Sequence, residues 1–127
     1  GVYVANYWTL VIPGPLFTLN SERGMHYHKR AKLTKTWRET AYAAALEAKV
    51  PKMKSIGIMC IPHRKNRRNM ADTGGHFPVA KACIDGLVDA GVIPDDGPEF
   101  VKSLEFKAPV VDGGEDRLML YITEHSR

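Results

Sequence analysis

Acidic residues are scarce over the first 71 positions, where three Asp or Glu stand against thirteen Lys or Arg, a local charge of +10. From residue 72 onward the sign reverses, with eleven acids against five bases, and the whole chain is left at +4. A division of this kind points toward a nucleic-acid or membrane surface. The membrane is the weaker choice: no apolar run approaches the roughly 18 residues a spanning helix needs, and no basic amphipathic segment stands apart as an anchor. Cysteine is nearly absent too. Cys60 and Cys83 are the two present, and their spacing fits neither a zinc motif nor a disulfide framework. Both sit among apolar neighbours, so we expect inert core thiols in a reducing compartment. The opening GVYVANYW lacks the charged region, long apolar region and cleavage site of a signal peptide, which leads us to expect an intracellular protein. There is no internal repeat and no low-complexity tract.

What is present suffices for one core. A chain of 127 residues with 44% hydrophobic content is too short for two comfortable domains, so residues 1–127 read as a single domain. Tyr7 to Ile12, YWTLVI, is β-branched and aromatic and closes at Pro13-Gly14-Pro15, the pattern of a strand running into a long connection. In LTKTWRETAYAAALEAKV, Thr36 and Glu39 have capping-box spacing, and Trp37, Ala41, Ala44, Ala45 and Ala48 recur at helical intervals before Pro51. Ser55 to Pro62 is a compact apolar run that reads as a strand and delivers the basic cluster HRKNRR. A second helix starts at Pro78 and leaves at Gly91, with Ala80, Cys83, Ile84, Leu87 and Val88 as its apolar face and Lys81, Asp85 and Asp89 opposite. Phe100 to Phe106 alternates Phe100, Lys102, Leu104 and Phe106 against Val101, Ser103 and Glu105, and Arg117 to Thr123 forms a last strand after the turn DGGED. The expected class is α/β of the α+β kind: a mixed sheet carrying two main helices, in the order β-α-β-α-β-β.

The stretch Asp72 to Asp96 concentrates the chemistry. Magnesium takes oxygen ligands and needs only a few carboxylates besides a substrate phosphate, and Asp72, Asp85, Asp95 and Asp96 would supply them. Lys81, one helical turn before Asp85, would add a fixed positive charge beside a phosphorus centre. The bland readings are an exposed i, i+4 ion pair for Lys81 and Asp85, and turn chemistry for Asp95 and Asp96 ahead of Gly97-Pro98. The basic residues also have two readings. Arg23, His26, His28, Lys29, Arg30, Lys32 and Lys35 would line a groove for phosphates or form a solvated loop. His63, Arg64, Lys65, Arg67 and Arg68 immediately precede Asp72 and would bring phosphates toward the ion. Asn20 with Ser21 is turn or cap material as readily as a DNA contact. Tyr27 is a candidate for stacking on a base, whereas Trp37, on the helix's apolar stripe, belongs to the core.

The string KACIDGLVDAGVIPDD, Lys81 to Asp96, resembles the signature of RusA-type Holliday junction resolvases, small endodeoxyribonucleases of phages and prophages. There, too, a lysine is followed four residues later by an aspartate, then by a helix end near Ala-Gly-Val and a closing Asp-Asp pair. TLNSERGMHYHKRAKLTKTWRETA is similar to the family's N-terminal half, where an asparagine and an arginine, here Asn20 and Arg23, precede a histidine, a basic run and a Trp-Arg helix. The resemblance implies a homodimer in the bacterial cytoplasm that binds four-way DNA junctions and makes paired nicks with magnesium, or manganese in its place, held by aspartates. By position Asp72 matches a metal-binding aspartate, Lys81 the catalytic lysine and Asp96 the essential second acid of the closing pair. Asp85 and Asp95 match the helix aspartate and the first of that pair. The chain departs from the family where Asp-x-Asp-Asn usually precedes the helix: Asp72-Thr-Gly-Gly-His76 stands there at a longer spacing from Lys81, and His76 reads as structural or phosphate-contacting. Two rival expectations follow, a non-catalytic branched-DNA-binding protein and a nuclease that prefers flaps or forks.

Overall fold

The computed structural model describes residues 7–14, 26–67 and 76–125. Its elements are β1 (Tyr7–Pro13), α1 (Tyr27–Glu47), β2 (Ile56–Arg64), α2 (Phe77–Asp89), β3 (Val101–Phe106), β4 (Val110–Val111) and β5 (Arg117–Glu124). Two helices and a mixed five-stranded sheet form one α+β domain in the expected order. A short strand, β4, is added between the last two expected ones.

The sheet runs β1-β5-β2-β3, with β4 also paired to β2. β5 is antiparallel to both β1 and β2, while β3 and β4 lie parallel to β2. Period-two alternation decides which side chains turn inward: Leu10 and Ile12 of β1, Ile56, Ile58 and Cys60 of β2, and Leu118, Leu120 and Ile122 of β5 are all buried. They meet Trp37, Ala41 and Ala45 of α1 and Val79, Cys83 and Leu87 of α2. Cys60 and Cys83 are the core thiols expected, and burial pushes the Cys60 thiol up to about 12. The alternation expected for β3 breaks, because the register shifts between Ile56 and Gly57, which pair with Val101 and Ser103. Lys102 is the extra residue of that irregularity and stays exposed, so Val101 joins the expected Phe100, Leu104 and Phe106 against the core.

Helix α1 begins well before the expected capping box. His26 is its N-cap, its ring Nδ1 accepting from the His28 backbone N–H at 3.3 Å. Thr36 lies in mid-helix, where its hydroxyl donates to the Lys32 carbonyl at 3.0 Å. The basic run is therefore helical surface, not loop. Lys, Arg, Ala and Leu favour helix without marking it by apolar period, and the inward stripe starts only at Leu33. Both helices end in the same pair of backbone bonds. After α1, Val50 N–H bonds Ala45 O and Lys49 N–H bonds Leu46 O; after α2, Val92 N–H bonds Leu87 O and Gly91 N–H bonds Val88 O. These are Schellman caps, which place one residue in the left-handed region. Gly91 holds it at φ 80° and Lys49 at φ 56°.

The two helices touch at Gly86. A Cβ built there would lie 2.9 Å from Ala41 Cβ and 3.0 Å from Tyr42 N, and closer still to the Arg38 carbonyl oxygen. Arg38 also reaches across to Asp89 with two bonds of 2.6 and 2.8 Å. Among the described residues no helix is long and apolar enough to cross a membrane.

Candidate active site

Lys81 is on the second turn of α2, facing away from the core, and its ammonium is shared by two carboxylates. It donates to Asp85 Oδ1 at 2.9 Å, the expected i, i+4 neighbour, and to Asp96 Oδ2 from the segment after the helix. The Schellman turn at Gly91 reverses the chain, and Val92 and Ile93 are buried. Anchoring those two side chains brings Asp96 back over the face that carries Lys81. Sequence spacing alone explains the Lys81–Asp85 contact; the fifteen-residue Lys81–Asp96 contact needs the turn.

The electrostatics fix protonation states. Partial burial works against the Lys81 ammonium, but hydrogen bonds to Asp96 and Asp85 outweigh it and hold its pKa above the ordinary lysine value. Lys81 is thus cationic at neutral pH in this arrangement. Asp96 is held below the usual carboxylate range by the Lys81 hydrogen bond and charge. Asp95 turns its Oδ1 to the Asp96 backbone N–H at 2.8 Å, which is the turn role open to it from sequence. It orients its neighbour, and among the described bonds it makes none to Lys81.

The donor chemistry suits a hard divalent ion. Asp85 and Asp96 offer carboxylate oxygens, and one cation, the ammonium, already touches both. Among the described residues no group of three His, Cys, Asp or Glu gathers. Asp72, the remaining expected ligand, lies outside the described residues, as do the expected DNA contacts Asn20, Arg23 and Arg68. His76 is buried, with its carbonyl accepting from Val79 and Ala80 at the start of α2. Of its two expected roles, that burial favours the structural one.

The basic residues divide into surface and structure. His28, Lys29, Lys32 and Lys35 are exposed along α1, with Lys35 near Glu39 at 3.8 Å, while Arg30 is half-buried and His26 is engaged as the cap. Tyr27 is exposed and packs edge-on to His28. Trp37 is in the core as expected. In the second cluster Lys65 and Arg67 are exposed, but Arg64 is buried and donates through Nε to Asp116 Oδ1 at 3.1 Å. That buried ion pair engages the Arg64 guanidinium within the protein, unlike the exposed side chains of Lys65 and Arg67. His63 also turns to an acid, Asp112, at 2.9 Å. These partners come from the DGGED turn, which sequence marks only as a turn. An acidic turn in a chain that also holds a basic cluster is the available signal.

No protein-family model matches the chain, and no curated protein is significantly similar to it.

Proposed function

We propose that this domain is a magnesium-dependent endodeoxyribonuclease acting on branched DNA, with four-way junctions as its principal substrate and Lys81, Asp85 and Asp96 at its hydrolytic centre. The observation that carries this reading is the single ammonium bridging two carboxylates, one from a helix and one from the loop that follows it. The likeness of Lys81 to Asp96 to the RusA-type signature supplies the substrate class, and the exposed bases of α1 and of Lys65 and Arg67 supply a surface for a polyanion.

Asp85 and Asp96, joined by Asp72, would hold the ion, with Asp95 orienting Asp96. Magnesium or manganese, when bound, supplies Lewis-acid neutralisation of phosphate charge and a more acidic attacking water. The chain's own contribution is electrostatic. Lys81 stays protonated and places a fixed positive charge where a phosphodiester oxygen gains negative charge in the transition state. Its two carboxylate bonds hold the long side chain in one rotamer, so little reorganisation accompanies the reaction.

A second reading draws on the same contact. If Lys81 permanently occupies both acids, the domain is a branched-DNA-binding protein that does not cleave. Incubating an end-labelled four-way junction with the protein and magnesium, beside EDTA, duplex, flap and Asp96→Asn controls, separates the two. Magnesium-dependent paired nicks that vanish with Asp96→Asn are expected. Tight binding with no nick under magnesium or manganese would overturn the nuclease reading in favour of the binding protein. Nicks in flaps ahead of junctions would change the substrate ranking alone.

A further inference from the structure

The root of the basic segment 63–67 is gripped from both sides by one acidic turn. β2 ends at His63 and Arg64, which pair with Val110 and Val111 of β4 on one side, while His63 also pairs with Arg117 of β5 on the other. The turn 112–116 joins β4 to β5, so it must cross over the end of β2. Asp112 leaves β4 with its backbone N–H on the Arg64 carbonyl at 3.1 Å. Its carboxylate then takes His63 Nδ1 at 2.9 Å and Arg117 at 2.7 Å, and its Oδ1 caps the Gly114 N–H at 3.0 Å. At the far end of the turn, Asp116 Oδ1 accepts both the Arg64 Nε at 3.1 Å and the Lys65 backbone N–H at 3.0 Å. The Asp116 carbonyl also holds Gly14 N–H at 2.8 Å, which ties β1 into the same knot.

We propose that Asp112 and Asp116 are positioning residues for DNA binding: they fasten His63, Arg64 and the Lys65 backbone, so that the side chains of Lys65 and Arg67 are presented from a rigid base. The inference rests on the DNA-binding part of the function proposed above. Acids beside a polyanion's site ordinarily oppose binding. These two are placed where their charges are taken up by Arg64 and Arg117, with His63 hydrogen-bonded to Asp112, and what they contribute is the direction in which the chain leaves the sheet.

The test turns on a sign. Asp116→Ala and Glu115→Ala each remove one negative charge from the same turn, but the Glu115 side chain is exposed, and among the described bonds the Lys65 N–H is held by Asp116 alone. Fluorescence-anisotropy titration of a four-way junction across a salt series should show Glu115→Ala binding as tightly as the unmodified protein or more so. Asp116→Ala should bind at least about fivefold more weakly, with a salt slope shallower by about 0.9 for each phosphate that is no longer neutralised. Asp116→Asn, which keeps an acceptor oxygen for Lys65 N–H and Arg64, should recover most of the affinity. Asp112→Ala gives an independent perturbation of the other grip, with the same direction expected, should Asp116→Ala melt below the assay temperature. Unmodified protein that binds while Asp116→Ala binds equally or more tightly would overturn this inference alone. Unmodified protein that holds no DNA at any salt would overturn the proposed function, and this inference with it.

Discussion

Replacing Gly86 by Ala sets two known quantities against each other. On helix propensity alone the change is favourable, since Ala in a helix interior is better than Gly by about 1 kcal/mol. Against it stands the helix crossing, where the new Cβ would lie 2.9 Å from Ala41 Cβ and 3.0 Å from Tyr42 N, with the Arg38 carbonyl oxygen nearer still. Two of those three neighbours are backbone atoms of α1, which cannot rotate aside as a flexible side chain would. Relief requires α1 and α2 to separate, and overpacking of this kind costs about 1–3 kcal/mol. Separation also strains the Arg38–Asp89 pair, although that pair is solvent-screened and contributes little by itself. The net expectation is a loss of about 0–2 kcal/mol, centred near 1 kcal/mol, from the difference between overpacking and propensity. In a domain of this size that lowers Tm by roughly 5 °C. Thermal unfolding followed by circular dichroism, with urea titration alongside, reads it directly. A Gly86→Ala protein more stable than its parent would show that the helices do not pack this closely. Because α2 carries Lys81 and Asp85, the same variant should lose cleavage rate beyond what its unfolded fraction explains.

Lys49→Gly works in the opposite direction: relieving a left-handed lysine at φ 56° should raise stability by about 1 kcal/mol, and a lower urea midpoint would refute the cap assignment. Lys81→Ala should abolish cleavage while leaving junction affinity within about twofold, because a fixed charge that matters in the transition state acts on kcat. Near-normal turnover would remove Lys81 from the centre. Replacing Lys65 and Arg67 together by Ala should flatten the salt dependence of binding by up to about 1.8 in log–log slope, two phosphates at about 0.9 each, and an unchanged slope would return them to solvated surface. Asp112 is held well below the ordinary aspartate value of 3.8 by Arg117, His63 and the Gly114 N–H. A carboxylate depressed in the folded chain contributes stability that is complete above that ordinary value and lost as pH falls through the lower folded one. The urea midpoint should therefore decline below about pH 4, and Asp112→Asn should decline less steeply there. An identical acid limb would show that this network adds nothing to folding.

Much of the fold is local and legible as such. β1, β2 and β5 declare themselves by β-branched and aromatic runs, and α2 by Pro78, Gly91 and its apolar stripe, because period and punctuation are properties of neighbouring residues. Strand order, the parallel pairing of β2 with β3 and β4, and the register shift at Gly57 are long-range facts with no local signature. The start of α1 escapes sequence reasoning because its cap is a histidine ring and its first turns carry charge instead of an apolar stripe. At the candidate site, the Lys81–Asp85 contact follows from spacing, whereas the contact of Lys81 with Asp96 comes within view only through resemblance. Arg64 illustrates the converse. Within HRKNRR it looks like its neighbours, and only Asp116, distant in sequence, distinguishes a structural cation from a surface one.

β5 lies between β1 and β2 and bonds to both, although it is the last of the described strands to be made. During synthesis β1 is made well ahead of it, and among the described strands its partner is residues 117–124. Leu10 and Ile12 have no inner neighbour in the sheet until β5 is in place between β1 and β2. The domain is therefore a structure completed from its middle. Removing eight residues, Arg117–Glu124, would leave β1 without that partner and bare the apolar flank of β2 along its length.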